Sequence, residues 1–474
     1  MPDSAPGHAP LDRPRRFGVL LALLFCLFGT IAAAQDDQRV ELGIDQARNL
    51  AIRALESGDP GFAIQLAKGV LKADPKDALA YYIIARGYAR LDNPTLARRA
   101  AGYAYRHADA GPARFEAAQL AARMAFEGEN YTLSQIWLRR TAIHAPTDRD
   151  EQLVARDYRI LRRINPWSLR LRAELQPSDN VNNGSDTSLN IIDGVPDEGT
   201  ISGAGLALSG LIGSLDIAPG YRLHSDSNSL ITLGARLYLQ RVSLSSGAKA
   251  TAPDATGSDF GSTYAELSLA HAFALGPADG SAQMAFDLAF GESWYGGERN
   301  YRFARLGGEH RSALFSTARL TLRAEAERRY NARYRTNDAR LLSLGADYGK
   351  VFKNGDVLNL ALALQDADAV SINGTYSTAS MRASYTLGRA VGPARLSMGL
   401  VMGYTRYDEF LFSINGAVPR TDKSLYGDLT LIFDRYDYAG FVPTLRLRGG
   451  RKDSNFSRFS AREMSLSLGI SSKF

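Results

Sequence analysis

Residues 463–474 read Glu463-Met464-Ser465-Leu466-Ser467-Leu468-Gly469-Ile470-Ser471-Ser472-Lys473-Phe474. Met464, Leu466, Leu468, Ile470 and Phe474 share one parity, while serines and a glycine fill most of the other. Side chains of an extended strand alternate between its faces, so the segment predicts a strand with a single apolar face. The same alternation recurs upstream. Leu445 and Leu447 alternate with Thr444, Arg446 and Arg448; Leu396, Met398, Leu400 and Met402 with Ser397, Gly399 and Gly403; Leu320, Leu322, Ala324 and Ala326 with Arg323, Glu325 and Glu327. It begins after Asn165-Pro166-Trp167, where Leu169, Leu171, Ala173 and Leu175 alternate with Ser168, Arg170, Arg172, Glu174 and Gln176.

A soluble sandwich would turn the charged parity to water, whereas a membrane barrel turns the apolar parity to lipid and the polar one to its lumen. One strand does not decide between them, but their repetition does, because the polar parities never form a second apolar face. Residues 165–474 are therefore expected to form a transmembrane antiparallel β-barrel of about fourteen strands, each with roughly 22 residues including its connection, enough for a tilted span of about 10 residues. Short turns such as 276–280, 353–356 and 388–393 separate longer polar stretches at 178–200, 243–262 and 408–422. This predicts tight turns on one rim and long loops on the other. The terminal Phe474 resembles the assembly signal of bacterial outer-membrane barrels.

Before residue 165 the period is helical. Ala47, Leu50, Ala51 and Ala54 precede a Gly58-Asp59-Pro60-Gly61 turn and Ala63, Ala67 and Val70. Tyr81, Ile84, Ala85 and Tyr88 precede Asp92-Asn93-Pro94 and Ala97, Ala101 and Ala104; a third unit runs from Phe115 through Glu129-Asn130 to Pro146. Pro75 and Pro146 are spaced by about two periods of roughly 34 residues, the length of a tetratricopeptide-like repeat. Residues 150–164 are expected to cap the stack. Such a domain serves either as a concave peptide-binding surface or as a structural spacer. The overall expectation is an α + β multidomain chain, with residues 35–164 the helical domain and 165–474 the barrel.

The first 34 residues carry Arg13, Arg15 and Arg16, an apolar run from Phe17 to Ile31 and then Ala32-Ala33-Ala34. This is the pattern of a secretory signal peptide cleaved after Ala34. The only cysteine, Cys26, lies within it and follows Phe25 rather than the small residue that a lipidation signal requires. The exported chain would thus carry no disulfide. The net charge of +6 could suggest nucleic acid, but export argues against that partner. Beyond the leader no stretch reaches the roughly 18 apolar residues of a membrane helix, so any spanning falls to strands.

At the junction, Asn165-Pro166-Trp167 followed by Asp179-Asn180-Val181-Asn182 resembles the start of the barrel domain of the surface lipoprotein assembly modulator family, and Trp294-Tyr295-Gly296-Gly297 fits the same pattern. The resemblance implies a periplasmic tetratricopeptide domain ahead of a fourteen-stranded outer-membrane barrel. It also implies delivery of lipoproteins, or of soluble haem- or metal-acquisition proteins, to the cell surface together with the barrel assembly machinery. On this reading the partners are an exported client protein, that machinery and outer-membrane lipid. The alternatives are a passive porin with a periplasmic interaction domain and a scaffold for periplasmic partners.

Catalysis is not expected. His107, His144, His224, His271 and His310 are scattered, with no metal-ligand spacing, and no cofactor is implied. Arg323, Glu325 and Arg329 read as cross-strand ion pairs in a wet lumen rather than as an acid–base set. Arg170, Arg172, Arg446 and Arg448 fall on the first and penultimate barrel strands and are expected to give the lumen a basic character near its closure.

Overall fold

A computed structural model of the chain describes residues 41–474 apart from 110, 277–281, 332–335, 337, 414–415, 437–440 and 473–474. The expected leader, with Cys26 and Ala34, and the terminal Phe474 lie outside the described residues.

The helical part comprises α1 (Ile44–Glu56), α2 (Pro60–Ala73), α3 (Ala78–Arg90), α4 (Pro94–His107), α5 (Gly111–Glu127), α6 (Tyr131–Ile143) and α7 (Asp148–Ile164), each packed on the next. Its repeat is visible in the turns. Gly58, Asp92 and Glu129 each take positive φ, and the next residue caps the following helix. The side chains of Asp59, Asn93 and Asn130 accept from the backbone N–H of Phe62, Leu96 and Leu133 at 2.9, 3.1 and 3.2 Å. These caps satisfy amides that the first helical turn leaves without partners. The core between the helices is built largely of alanine, with Ala51, Ala63, Ala67, Ala80, Ala85 and Ala101 fully buried. Small side chains let the axes approach closely; a methyl at Gly87 would lie 2.6 Å from the side chain of Ile64.

The strands follow as β1 (Trp167–Ser178), a small hairpin of β2 (Leu189–Ile192) and β3 (Val195–Thr200), then β4 (Gly210–Ser225) and β5 (Ser229–Leu244). After a short helix α8 (Ser246–Thr251) come β6 (Ser262–Ala274), β7 (Ala282–Tyr295), β8 (Glu298–Phe315), β9 (Ala318–Asn331), β10 (Ala339–Val351) and β11 (Val357–Ala369). The chain ends with β12 (Tyr376–Thr386), β13 (Arg395–Ser413), β14 (Gly416–Ile432), β15 (Phe441–Ser454) and β16 (Ala461–Ser472). β1 and β4–β16 form one closed, antiparallel, fourteen-stranded barrel in which β1 pairs with both β4 and β16. Closure leaves no open edge, which is the condition for strands to cross a membrane.

The rim where β1 begins, next to α7, is the near rim; the opposite one is the far rim. Outward residues form an apolar belt that includes Leu267, Leu306, Leu344 and Leu468 at 63%, 59%, 58% and 60% exposure. Apolar surface in water costs about 25 cal/mol per Å², so a continuous belt of this kind is stable only against lipid. Trp167, Tyr221 and Phe273 add aromatic rings at its near edge, where the interface favours them. The chain is therefore a membrane barrel of the outer-membrane type.

One connection departs from the sequence reading. Residues 408–422 are not a polar loop: β13 continues to Ser413 and β14 begins at Gly416, with Tyr407 opposite Arg420 and Phe410 opposite Val418. Polar composition marks contact with water, and strands that project past the membrane are as polar as loops. The β7–β8 connection on the same rim is a two-residue turn, Gly296-Gly297, both at positive φ. The long far-rim connections are those after β1 and β5.

Candidate functional site

Three places bring functional side chains together: the lumen wall, the far mouth and the junction with the helices. On the lumen wall, arginines reach carboxylates across strands whose inner residue is small. Arg305 on β8 passes the fully buried Ala289 of β7 to meet Glu266 on β6 at 2.8 Å. Arg382 on β12 passes Gly399 of β13 to meet Asp428 on β14 at 2.8 Å. Arg323 pairs with Glu309 at 2.9 Å and also with Asp347, and Arg329 with Glu327 at 2.6 Å. The first three arginines make cross-strand ion pairs lining a polar interior, whereas Arg329 and Glu327 both lie on β9, so that pair, expected to bridge strands, runs along one. His271 and His310 lie on the outward parity of β6 and β8, opposite Phe286 and Met284 of β7, away from this network. Among the described residues no group of three or more His, Cys, Asp or Glu is placed to hold a metal ion.

The four arginines at the closure do not form one patch. On the inner parity of β16, Arg448 stands opposite Ser465 and Arg446 opposite Ser467, whereas Arg172 stands opposite Ser471 on the other side. The pairs are thus staggered toward opposite rims. Arg172 is also level with Asp216 of β4, whose carboxylate binds Arg236 at 2.8 Å. Arg446 Nε donates to Thr430 Oγ1 at 3.2 Å, and Arg448 lies over the Tyr426 ring and 4.0 Å from Glu463. Arg446 thus meets a hydroxyl, and Arg448 and Arg172 stand near acidic groups.

The seam itself is interrupted. Residues 172–175 of β1 pair with 468–471 of β16, and Ser178 with Ser465, but Gln176 and Pro177 have no ladder partners in β16, although both pair with β4. Proline carries no N–H to donate. Beyond the gap, Asp179, Asn180 and Asn182 organise the far end of the seam. Asp179 Oδ1 accepts from the Met464 N–H at 2.8 Å. Asn180 Nδ2 donates to the carbonyls of Gly184 and Arg462 at 2.9 and 3.2 Å, and Asn182 Nδ2 to those of Ala204 and Leu206 at 2.9 and 2.8 Å.

From there the β1–β4 connection crosses onto the β15–β16 turn. Ser185 Oγ donates to the Ser457 carbonyl at 2.9 Å, and the Ile191 and Asp193 amides donate to Ser457 Oγ and the Asn455 carbonyl, each at 2.8 Å. Beneath it Phe456 is fully buried against Phe410 and Phe459, while Arg420, paired with Asp422, lies 3.4 Å from the Phe459 centroid. On the other side of the mouth, Val181, Leu208, Leu244, Ala248 and Phe260 form a second small core. Two apolar clusters thus pack into the far mouth. Neither announces itself in the sequence, because each joins loops separated by many residues.

At the near rim, Asn165 is buried at 2% exposure. Its Nδ2 donates to Gln135 Oε1 at 2.7 Å and to Thr132 Oγ1 at 3.2 Å on α6, and its Oδ1 accepts from the Trp167 N–H at 3.0 Å. Arg222 of β4 donates to the α7 carbonyls of Arg163 and Arg162 at 2.5 and 3.3 Å and to that of Asn165 at 3.2 Å, and its own N–H donates to Pro166 O at 2.8 Å. A cation at a helix C-terminus satisfies carbonyls the helix leaves free and opposes its dipole. Trp167 packs on Tyr221 with ring centroids 4.7 Å apart. On the far side of the seam, Arg139 of α6 lies over Phe441 of β15 while donating to Tyr158 Oη of α7 at 2.8 Å. The helical domain is therefore tied to the barrel on both flanks of the β1–β16 seam.

No family model and no curated protein matches the sequence. Among solved structures, the helical part is similar to the type III secretion translocator chaperone SycD of Yersinia enterocolitica (13% identity, 26% of this chain and 88% of that one, TM-score 0.24). It is also similar to the first tetratricopeptide domain of human RPAP3 (15% identity, 26% and 93%, TM-score 0.23). The barrel is similar to Acinetobacter baumannii OccAB3 (9% identity, 64% and 99%, TM-score 0.33). At these scores the likenesses add nothing to what the geometry gives: a tetratricopeptide-like helical domain fixed to the near rim of a fourteen-stranded membrane barrel.

Proposed function

We propose that the protein is a non-enzymatic outer-membrane translocator that delivers specific exported proteins to the cell surface, in the manner of the surface lipoprotein assembly modulator family that its sequence resembles. On this reading the near rim faces the periplasm. The helical domain captures a client there and hands it to the barrel, with the barrel assembly machinery as a further partner. The observation that carries the reading is the anchoring of the helical stack on both flanks of the interrupted β1–β16 seam, through Arg222 on β4 and Arg139 over Phe441 on β15. A mere spacer has no need to be held at a fixed place on the rim, whereas a capture surface that feeds one point of the barrel does.

The test compares surface and secreted proteins of wild-type cells with those of cells whose copy lacks residues 44–164, by protease shaving and mass spectrometry. Loss of one or two exported proteins from the surface, retained in the periplasm, supports the proposal; an unchanged surface refutes it. A passive porin is favoured by one observation, the ion-paired polar lumen. That reading requires the purified barrel to conduct small ions with the helical domain removed.

A further inference from the structure

Helix α7 buries Val154, Tyr158 and Leu161 against its neighbours, yet carries a second apolar row. Leu153, Ile160 and Ile164 are 40%, 51% and 44% exposed. At 100° per residue these three lie within about 40° of one another, and Arg149, Arg156 and Arg163 follow on one flank of the row. All three arginines are exposed. Asp157 stands on the other flank and pairs with Arg156 at 3.4 Å, with both side chains more than half exposed. The row ends where the barrel's lipid-facing surface begins: Trp167 and Leu169, outward on β1, are 55% and 56% exposed.

The helix is also held against the rim rather than projecting from it. Its last carbonyls are bound by Arg222 of β4, and Tyr158, one and a half turns earlier, bonds the Arg139 that covers Phe441 of β15. A helix with a narrow apolar row, a basic flank and attachment at the edge of a hydrocarbon belt has the features of a segment lying in a bilayer interface. Arginine stems can lie along the acyl boundary while their heads reach phosphate.

We propose that α7 is a membrane-surface helix: Leu153, Ile160 and Ile164 enter the near leaflet as a continuation of the barrel belt, and Arg149, Arg156 and Arg163 meet the phosphates of its lipids. The occupant of this face is lipid, chosen over protein because the row is continuous with Trp167 and Leu169 and its flank is cationic. The inference concerns how the helical domain is seated and is independent of what the barrel transports.

The test uses full-length processed protein, with Cys26 removed along with the leader or replaced by serine, carrying a bimane label at Ile160→Cys. It is reconstituted in phosphatidylethanolamine–phosphatidylglycerol vesicles containing doxyl-labelled lipid. Leu169→Cys on the lipid-facing wall and Leu79→Cys on the exposed surface of α3 serve as the lipid and water references in separately labelled chains. Quenching at position 160 within about twofold of that at 169, with little at 79, supports the proposal. Quenching at 160 no greater than at 79 overturns it, as does a blue-shifted label that lipid quencher does not reach, which would mean that protein covers the face. Adding R149Q, R156Q and R163Q is expected to lower quenching at 160 severalfold in phosphatidylglycerol vesicles while leaving position 169 unchanged. Insensitivity to those three changes overturns the assigned role of the arginines.

Discussion

Replacing Arg222 by alanine should loosen the end of α7 from the rim without opening the barrel. The guanidinium gives three hydrogen bonds, to Arg163 O at 2.5 Å, Arg162 O at 3.3 Å and Asn165 O at 3.2 Å. A hydrogen bond to a charged group contributes about 1.5–3 kcal/mol when buried, and a cation at a helix C-terminus about 0.3–1 kcal/mol when exposed. Two of these bonds are exposed and one is half-buried, so the sum is discounted to about 2–3 kcal/mol. At 1.4 kcal/mol per tenfold, the population with the end of α7 undocked rises about 30- to 150-fold. The backbone bond from the Arg222 N–H to Pro166 O survives the substitution, as does the β1–β4 ladder from Trp167 opposite Tyr221 onward. Hydrogen exchange read by mass spectrometry on the reconstituted full chain should therefore accelerate by that factor in peptides covering 158–166 and stay constant in β13 and β14. Exchange at 158–166 that changes by less than twofold would show that the covalent link and the Asn165 contacts alone hold the junction.

Phe456→Ala removes a fully buried ring that packs on Phe410 and Phe459. It should cost about 3–4 kcal/mol locally and expose the 185–193 segment to protease at the far rim; unchanged cleavage would mean that the hydrogen bonds alone latch that segment. At Gly399 an added methyl would lie 2.7 Å from both Arg382 Nη2 and Asp428 Oδ1. Gly399→Val should therefore break the bridge over β13 and lower the temperature at which the barrel unfolds on a gel, by an amount matching about 1–2 kcal/mol in a wet lumen, and an unchanged transition would refute the bridging role. His144 rests 3.2 Å from Tyr105 Oη, and burial together with nearby Arg114 holds its imidazole below the usual value of 6.5. The folded chain thus favours the neutral ring, so its contribution is complete above the unfolded-state value and is lost as pH falls below about 6.5 toward the folded-state value. The protection of amides in α4 and α6, after allowance for the slower intrinsic exchange at lower pH, should fall between pH 7.5 and 5.5, and His144→Gln should abolish that fall; an equal loss of protection in the variant would assign it elsewhere.

The sequence by itself determined the classes of structure and the order in which they occur. The helical period ends and the strand period begins at Asn165-Pro166-Trp167, and the strand parities separate a lipid face from a lumen face across the whole barrel. Periodicity is a local property: each residue's partition between lipid and water, or between core and surface, is set by its own side chain and its neighbours in sequence. The turns at Gly58-Asp59, Asp92-Asn93 and Glu129-Asn130 were legible for the same reason, while the capping of the next helix by Asp59, Asn93 and Asn130 came with the structure. The 408–422 hairpin was misread because polarity reports water and not backbone conformation. Arg323 was legible as a cross-strand ion-paired residue, though not with which carboxylates, whereas Arg329 pairs along its own strand with Glu327.

Only the tertiary structure decided which side chains meet. Arg222 reaches the α7 carbonyls across 59 residues, and Asn180 reaches the Arg462 carbonyl across 282. Phe456 finds Phe410, and Arg305 arches over Ala289, because the register of the closed sheet puts them there. A small inner residue between strands bearing opposite charges, as at Gly399 between Arg382 and Asp428, is the one trace such a bridge leaves in sequence, and it becomes readable only once the register is known. Register is a collective outcome of ladder pairing and loop closure around fourteen strands. No local window contains it, which is why the four closure arginines shared a parity in the sequence yet stand staggered along β16 in the fold.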